Sequence, residues 1–234
     1  VHDILGFNIS KLPATSYTIS IGDMSELDEK IELSNPYSII KVKLGTPNDD
    51  KEIISQIRQR TDKLIRVDAN EGWSLDNAKE MSYWLADRNV EFIEQPFKAK
   101  MLNETRSLKE FSPLPLFADE NSLVSSDIPK IVDCFDGINI KLMKCGGLDE
   151  ALKMIEIAKH FDMQIMLGCM VESSVGITAA AQLASEAVAV DLDGNLLIDN
   201  DPYKGVEVIE GRLHLSPNNY GMGLSLSKQE EGLL

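Results

Sequence analysis

Three apolar runs in this chain each end on a carboxylate, and the ends recur at a single interval. Leu64-Ile65-Arg66-Val67 leads to Asp68, Phe92-Ile93 to Glu94, and Leu114-Pro115-Leu116-Phe117-Ala118 to Asp119. The acids stand 26 and 25 residues apart, about one strand-plus-helix unit each. Pro96 has no N–H to give to a ladder, so the run holding Glu94 stops there. An acid at the last position of a strand sits at the rim of its sheet. Three on successive rims repel one another unless a cation lies between them, so the pattern implies a divalent ion with hard oxygen ligands.

Five more runs complete the series. Tyr17–Ile21 alternates, Ile39–Leu44 ends before Gly45, and Ile138–Leu142, Gln164–Gly168 and Val188–Asp193 follow the three acid-ended runs. Helical patterns lie between them: 25–33, Asp49 to Arg60, a stretch capped by Ser74 with Ala78, Met81, Trp84 and Leu85 on one side, 101–111, Ser126-Asp127 towards Cys134, a helix opened by Gly146-Gly147, and Ser173 to Glu186. Near-continuous apolar strands alternating with helices predict a parallel sheet covered on both faces. The fold expected is an α/β barrel of the TIM type, (β/α)7β, over residues 16–195. Residues 1–15 are expected to be a connector, and 196–234 a segment of short strand-like runs packing outside the barrel. An open doubly wound sheet is the rival, disfavoured because no glycine-rich phosphate turn follows the first strand.

Barrels of this kind carry their active sites at the C-terminal strand ends. Lys41, Lys43, Asp68, Glu94, Asp119, Lys141, Asp191 and Asp193 would all gather there. One strand-end acid is commonly a helix cap, but alternation puts both Lys41 and Lys43 on one face of an apolar strand. A carboxylate-bound cation beside lysines suits proton abstraction next to a carboxylate, where the cation stabilises the enediolate and a neighbouring cation eases a lysine towards its neutral form. Lys141, coming from the far side of the mouth, would reach the opposite face of the same carbon. Two bases on two faces make a racemase or epimerase.

Lys41-Val-Lys43, Asp68-Ala-Asn70, Glu94-Gln-Pro96, Asp119-Glu120 and Lys141-Leu-Met-Lys144-x-Gly-Gly together resemble the muconate-lactonizing subgroup of the enolase superfamily. The resemblance spans roughly residues 16–195. It implies Mg²⁺ on Asp68, Glu94 and Asp119, with Lys43 and Lys141 as the acid/base pair. Asp191-Leu-Asp193-Gly194 is similar to the motif with which dipeptide epimerases hold the substrate's ammonium group. The implied activity is dipeptide epimerisation of the L-Ala-D/L-Glu type. Lys41, Asp191, Asp193, Cys169 and Met170 are the expected substrate contacts, with Asn70 and Glu120 as candidate orienting groups. A cycloisomerase or o-succinylbenzoate synthase would share the chemistry, but its substrate lacks an ammonium group. A catalytically silent small-molecule binding module is the alternative of another class. The family also carries an N-terminal capping domain. These residues hold no counterpart of it, and a first residue Val1 predicts a piece of a longer protein.

Composition narrows the partners. A net charge of −15 with no basic cluster argues against nucleic acid and anionic membrane. Cys134, Cys145 and Cys169 are odd in number and form no metal-type spacing, which predicts reduced thiols in a cytoplasmic protein. The expected partner is a small dipeptide, and the surface is compatible with a homo-oligomer. His2, His160 and His214 are given no chemistry, and Trp73 is expected to pack.

Overall fold

The structure, a computed structural model, describes residues 1–20, 24–46, 49–216 and 221–227. The apolar runs form eight parallel strands in sequence order: β1 Tyr17–Ile19, β2 Ile39–Lys43, β3 Leu64–Asp68, β4 Val90–Glu94, β5 Leu116–Ala118, β6 Gly137–Lys141, β7 Gln164–Gly168 and β8 Ala189–Val190. The two outer strands meet as well. Thr15 and Val190 form a parallel bridge, and Ser16 N donates to Val190 O at 3.3 Å, which closes the sheet into a barrel. Ile21, the expected end of the first strand, lies outside the described residues, as does Pro217 in the tail.

Alternation along the strands makes two separate apolar layers. Ile40, Val42, Ile65, Val67 and Ile93 point outwards and join one large core with the helix faces. Those faces include Ile53, Ile54 and Ile57 of α3 (Asp50–Arg60), Ala78, Met81 and Leu85 of α4 (Leu75–Ala86), and Ala151, Met154, Ile155 and Ala158 of α7 (Leu148–His160). Leu148, Leu152 and Trp84 are only half-buried. Inside the barrel, Phe92, Phe117, Met166 and Ala189 form a second cluster. Phe117 fits there because Gly137 has no Cβ, which would lie 2.4 Å from its ring. Arg66 crosses this floor, donating to Glu91 Oε2 at 2.7 Å and to Val190 O at 2.9 Å.

The remaining helices are α1 (His2–Leu5), α2 (Leu27–Leu33), α5 (Leu102–Phe111), α6 (Leu142–Cys145) and α8 (Ser174–Ala181). Several caps differ from expectation. Ser74 does cap α4 through Asn77 N, but Asp49 and Ser173 make no side-chain cap bond. Asp201 reaches α8 instead, accepting from Ser174 N at 2.6 Å. Asp50 accepts from Gly45 N, Thr46 N and the buried Trp73 indole, so Trp73 packs as expected. Between β5 and β6 only a 3₁₀ helix forms, Ser125–Lys130. Pro129 has no N–H to donate to Ser125, so the expected helix towards Cys134 does not propagate. None of the described helices is long and apolar enough to cross a membrane.

The tail adds β9 (Tyr203–Lys204), paired with β12 (Ser225–Leu226), and a hairpin of β10 (Glu207–Ile209) and β11 (Arg212–His214). Glu210 and Gly211 turn the hairpin with φ of 49° and 72°, the left-handed pair that tight hairpins need. Thr15 N donates to Gly211 O, so the hairpin packs at the entrance to β1 rather than in the barrel wall.

Candidate active site

Register brings the rim together. Lys43 is laterally paired with Asp68, and Asp68 with Glu94, so three of the expected groups are neighbours at the C-terminal ends of β2, β3 and β4. The β3–β4 ladder shifts by one residue between Ile65 and Val67; this bulge leaves Val90 and Ile93 facing outwards and Phe92 and Glu94 inwards. Asp119 follows β5, and its N–H is held at 2.9 Å by the Gln95 side chain. Gln95 itself sits at φ 38°, a left-handed conformation uncommon for a side-chain-bearing residue.

Lys41 is the hub, with 2% of its surface exposed. Its Nζ lies 2.7 Å from Glu94 Oε2, 3.1 Å from Asp191 Oδ2 and 3.3 Å from Asp68 Oδ2. Burial opposes its charge, but Asp191, Glu94 and Asp68 outweigh burial and hold the ammonium well above the usual lysine range. On the far side, Asp119 accepts from Lys141 at 2.7 Å and from Lys144 at 2.5 Å. Burial resists its ionisation, yet Lys141 and Lys144 hold it below the usual carboxylate range. Lys141 is buried too, and Asp119 overcomes that penalty to keep it raised and protonated. Lys43 makes no ion pair among the described residues.

Whether these acids suit a divalent cation can be judged from their unmet demands. Asp68 Oδ2 and Glu94 Oε2 are buried, accept no well-directed hydrogen bond among the described residues, and lie beside the Lys41 ammonium. Burial and the Asp68 charge push the Glu94 carboxyl up to about 7. As they stand, no three carboxylate, imidazole or thiol groups among the described residues form a ready cage; Lys41 sits against Glu94, and Lys141 and Lys144 against Asp119. The donor set is nonetheless the hard oxygen set that Mg²⁺ takes, and its excess negative charge is what a divalent cation would answer. The residues fit the ion.

A cavity of about 390 Å³ opens over this cluster, and Lys43, Lys141, Asp193, Cys169 and Met170 all line it. Asp191 and Asp193, expected to act alike, differ. Asp191 accepts from Ser16 Oγ at 2.6 Å and Thr18 Oγ1 at 3.2 Å as well as facing Lys41. Burial is outweighed by Lys41 and Ser16, and its carboxyl stays below the usual range. Asp193 accepts from Thr18 N at 2.9 Å and, among the described residues, pairs with no cation. Burial and the Asp191 charge push it up to about 6. Burial and the same two acids push the Cys169 thiol up to about 12, so it contributes bulk rather than a thiolate. Met170 stands 44% exposed at the mouth.

A family model described as enolase C-terminal domain-like matches residues 25–230. This chain belongs to that family. Among curated members it is 44% identical to the L-Ala-D/L-Glu epimerase of Bacteroides thetaiotaomicron, over 92% of this chain and 56% of that protein. It is 40% identical to the L-Ala-D/L-amino acid epimerase of a Maribacter species, over 97% of this chain and 67% of that protein. A solved family member, the dipeptide epimerase of Cytophaga hutchinsonii complexed with Mg and the dipeptide D-Ala-L-Val, superposes with a TM-score of 0.89. It is 29% identical, over 97% of this chain and 65% of that one. The chain thus spans little more than half the length of the first of these relatives.

Within this family member, several site residues went beyond what sequence reasoning assigned. Asn139 donates to Glu94 Oε1 at 2.7 Å, and a Cβ on Gly168 would collide with it. It lies two residues before Lys141, so alternation alone would have turned it inwards. Lys144 stands three residues after Lys141, one helical turn on. Ser16 and Thr18 carried no signal until β1 and β8 met. Lys41, expected to touch substrate, lines the cavity, and its ammonium also faces three carboxylates. Glu120 lies 3.5 Å from Lys144, and Asn70 N donates to Asp68 Oδ1 at 3.0 Å.

Proposed function

We propose that residues 16–195 carry a Mg²⁺-dependent dipeptide epimerase, most closely of the L-Ala-D/L-Glu type, moving a proton at the α-carbon of the C-terminal residue. The observation that carries the reading is one cavity lined by Lys43, Lys141 and an Asp193 that pairs with no cation among the described residues. The 44% identity to an L-Ala-D/L-Glu epimerase supports it. Asp68, Glu94 and Asp119 would hold the ion, which when bound supplies Lewis-acid stabilisation of charge developing on the substrate carboxylate.

The chain's own residues do the rest. Asp193 accepts the substrate ammonium, whose charge answers a carboxylate now burdened by burial and by Asp191. That anchor sets the distance from the ammonium to the reacting carbon. β2 and β6 are four strands apart in a barrel of eight, so Lys43 and Lys141 approach the carbon from opposite sides. Lys141, kept protonated by Asp119, is poised to give a proton, and Lys43, with no ion pair among the described residues, to take one. Roles exchange for the reverse epimer. Lys41 stays charged and offsets the carboxylates beside it. Three unpaired thiols fit a reducing cytoplasm, and breakdown of cell-wall peptides is a setting that would supply such dipeptides.

Incubation with L-Ala-L-Glu and Mg²⁺ in deuterated water should place deuterium at the glutamate α-carbon and yield both epimers, read by NMR and chiral chromatography. No α-exchange with any member of a dipeptide library would overturn the assignment.

A further inference from the structure

Lys141 stands at the start of the single turn Leu142–Cys145 and Lys144 lies within it, and spacing of three puts both ammoniums on one side of it. The turn stops sharply because Gly146 and Gly147 take φ of 94° and 130°, which no other residue adopts easily. From that turn the two lysines divide Asp119 between them: Lys141 takes Oδ2 at 2.7 Å and Lys144 takes Oδ1 at 2.5 Å. A carboxylate gripped at both oxygens has a fixed plane. Lys144 is not itself free to wander, since Glu120 Oε1 lies 3.5 Å from its Nζ, and Glu120 Oε2 is buried without a hydrogen-bond partner. Lys144 and Glu120 have opposite charges, so the pair adds almost no net charge beside the acids.

We infer that Lys144 is a positioning residue for the cation site: by holding Oδ1 while Lys141 holds Oδ2, it fixes the plane in which Asp119 would meet the ion, and Glu120 holds Lys144 in place. Without Lys144, Oδ1 loses its tie, the carboxylate turns about its contact with Lys141, and the fixed plane it would present to the ion is lost. The inference rests on the proposed binding of a divalent cation by Asp68, Glu94 and Asp119, but not on the dipeptide. A residue that orients a metal ligand in this way typically governs affinity by about 10–100-fold. The opposite expectation is equally definite. If Lys144 merely competes with the ion for Asp119, removing its charge tightens binding.

The test is direct titration of the protein with Mn²⁺, following the free ion by electron paramagnetic resonance, with thermal melts alongside. Lys144→Met should raise the Kd by about 10–100-fold, with its melting temperature close to that of the unmodified protein. Lys144→Arg, which keeps a charged donor, should recover most of the affinity. Glu120→Gln should weaken binding in the same direction by a smaller factor, and it serves as the test if Lys144→Met does not fold. Unchanged or tighter binding in Lys144→Met, or in Glu120→Gln if that variant must stand in, overturns the inference. An unmodified protein that binds no Mn²⁺ defeats the metal reading itself, and the positioning role with it.

Discussion

The floor and the mouth of this barrel are built on the same inward faces of the same strands, two residues apart, and their chemistry is opposite. On β3 and β4 the pairs are Arg66 and Asp68, and Phe92 and Glu94; on β5 and β8 the outer member lies just past the strand end, giving Phe117 and Asp119, and Ala189 and Asp191. On the floor, aromatic rings pack 4.3 Å apart, and the one charge, Arg66, is satisfied by Glu91 and a backbone carbonyl. At the mouth, buried carboxylate oxygens remain without directed partners and two acids sit well above their usual range. One rung lowers the free energy of the fold, and the next raises it to hold charge for a ligand. The comparison predicts that floor substitutions cost stability and spare chemistry, whereas mouth substitutions do the reverse.

The largest effect expected at the mouth is on turnover. Lys141→Met should lower kcat for epimerisation by about 10²–10⁴-fold, with the melting temperature little changed, because Lys144 still answers Asp119. Loss of folding in this variant would break the contrast, since it would make the mouth structural. The converse is Phe117→Ala. Emptying the floor should cost about 3–5 kcal/mol in chemical denaturation, while Mn²⁺ affinity measured well below the melting temperature stays within a few-fold. A large fall in metal affinity would show that the two rungs are coupled.

Much of this arrangement was legible in advance because it rests on local rules. Period-two alternation placed Lys41 and Lys43 together, and proline and glycine marked the strand ends that carry Glu94 and Lys43. What was not legible depends on distances set only by closure of the barrel. Ser16 and Thr18 become partners of Asp191 and Asp193 because β1 meets β8 across 173 to 175 residues. Asp191 and Asp193 look equivalent in the chain, but the Lys41 ammonium reaches only the first within ion-pair distance. The two-residue strands β9 and β12 are too short to show a period, and the β10–β11 hairpin lies between them in the chain. Lys144 was visible in the motif, but nothing local says that its ammonium ends on Asp119.

The difference between those two aspartates can be sharpened by substrate. Asp193→Asn should lower kcat/KM on free dipeptides by roughly 10–100-fold, the loss of one charge-assisted hydrogen bond worth about 1.5–3 kcal/mol. An N-acetylated dipeptide, already a poor substrate, should be almost indifferent to the same change. Equal losses on both substrates would remove Asp193 from ammonium recognition.

The smallest effect runs the other way, and it is a gain. An unfolded aspartate titrates near 3.9, whereas burial and the Asp191 charge push Asp193 up to about 6. Between those values the folded protein still holds the proton and the unfolded chain has released it. The stability associated with this group is therefore fully present below about pH 4 and is lost as pH rises through about 6. Asparagine does not titrate and can still accept from Thr18 N, so it escapes that loss. In chelator, without substrate, Asp193→Asn should match the unmodified protein near pH 4 and exceed it by about 1–2 kcal/mol above pH 7. That is less than the roughly 3 kcal/mol that a two-unit shift allows, because Asp191 and Lys41 readjust. Acids remote from Asp193 titrate alike in both proteins and cancel from the difference. Urea denaturation at several pH values reads it directly. A variant that is less stable at pH 8 would mean that Asp193 already has its partner in the fold, and the mouth would then hold no unanswered charge at that position for a substrate to meet.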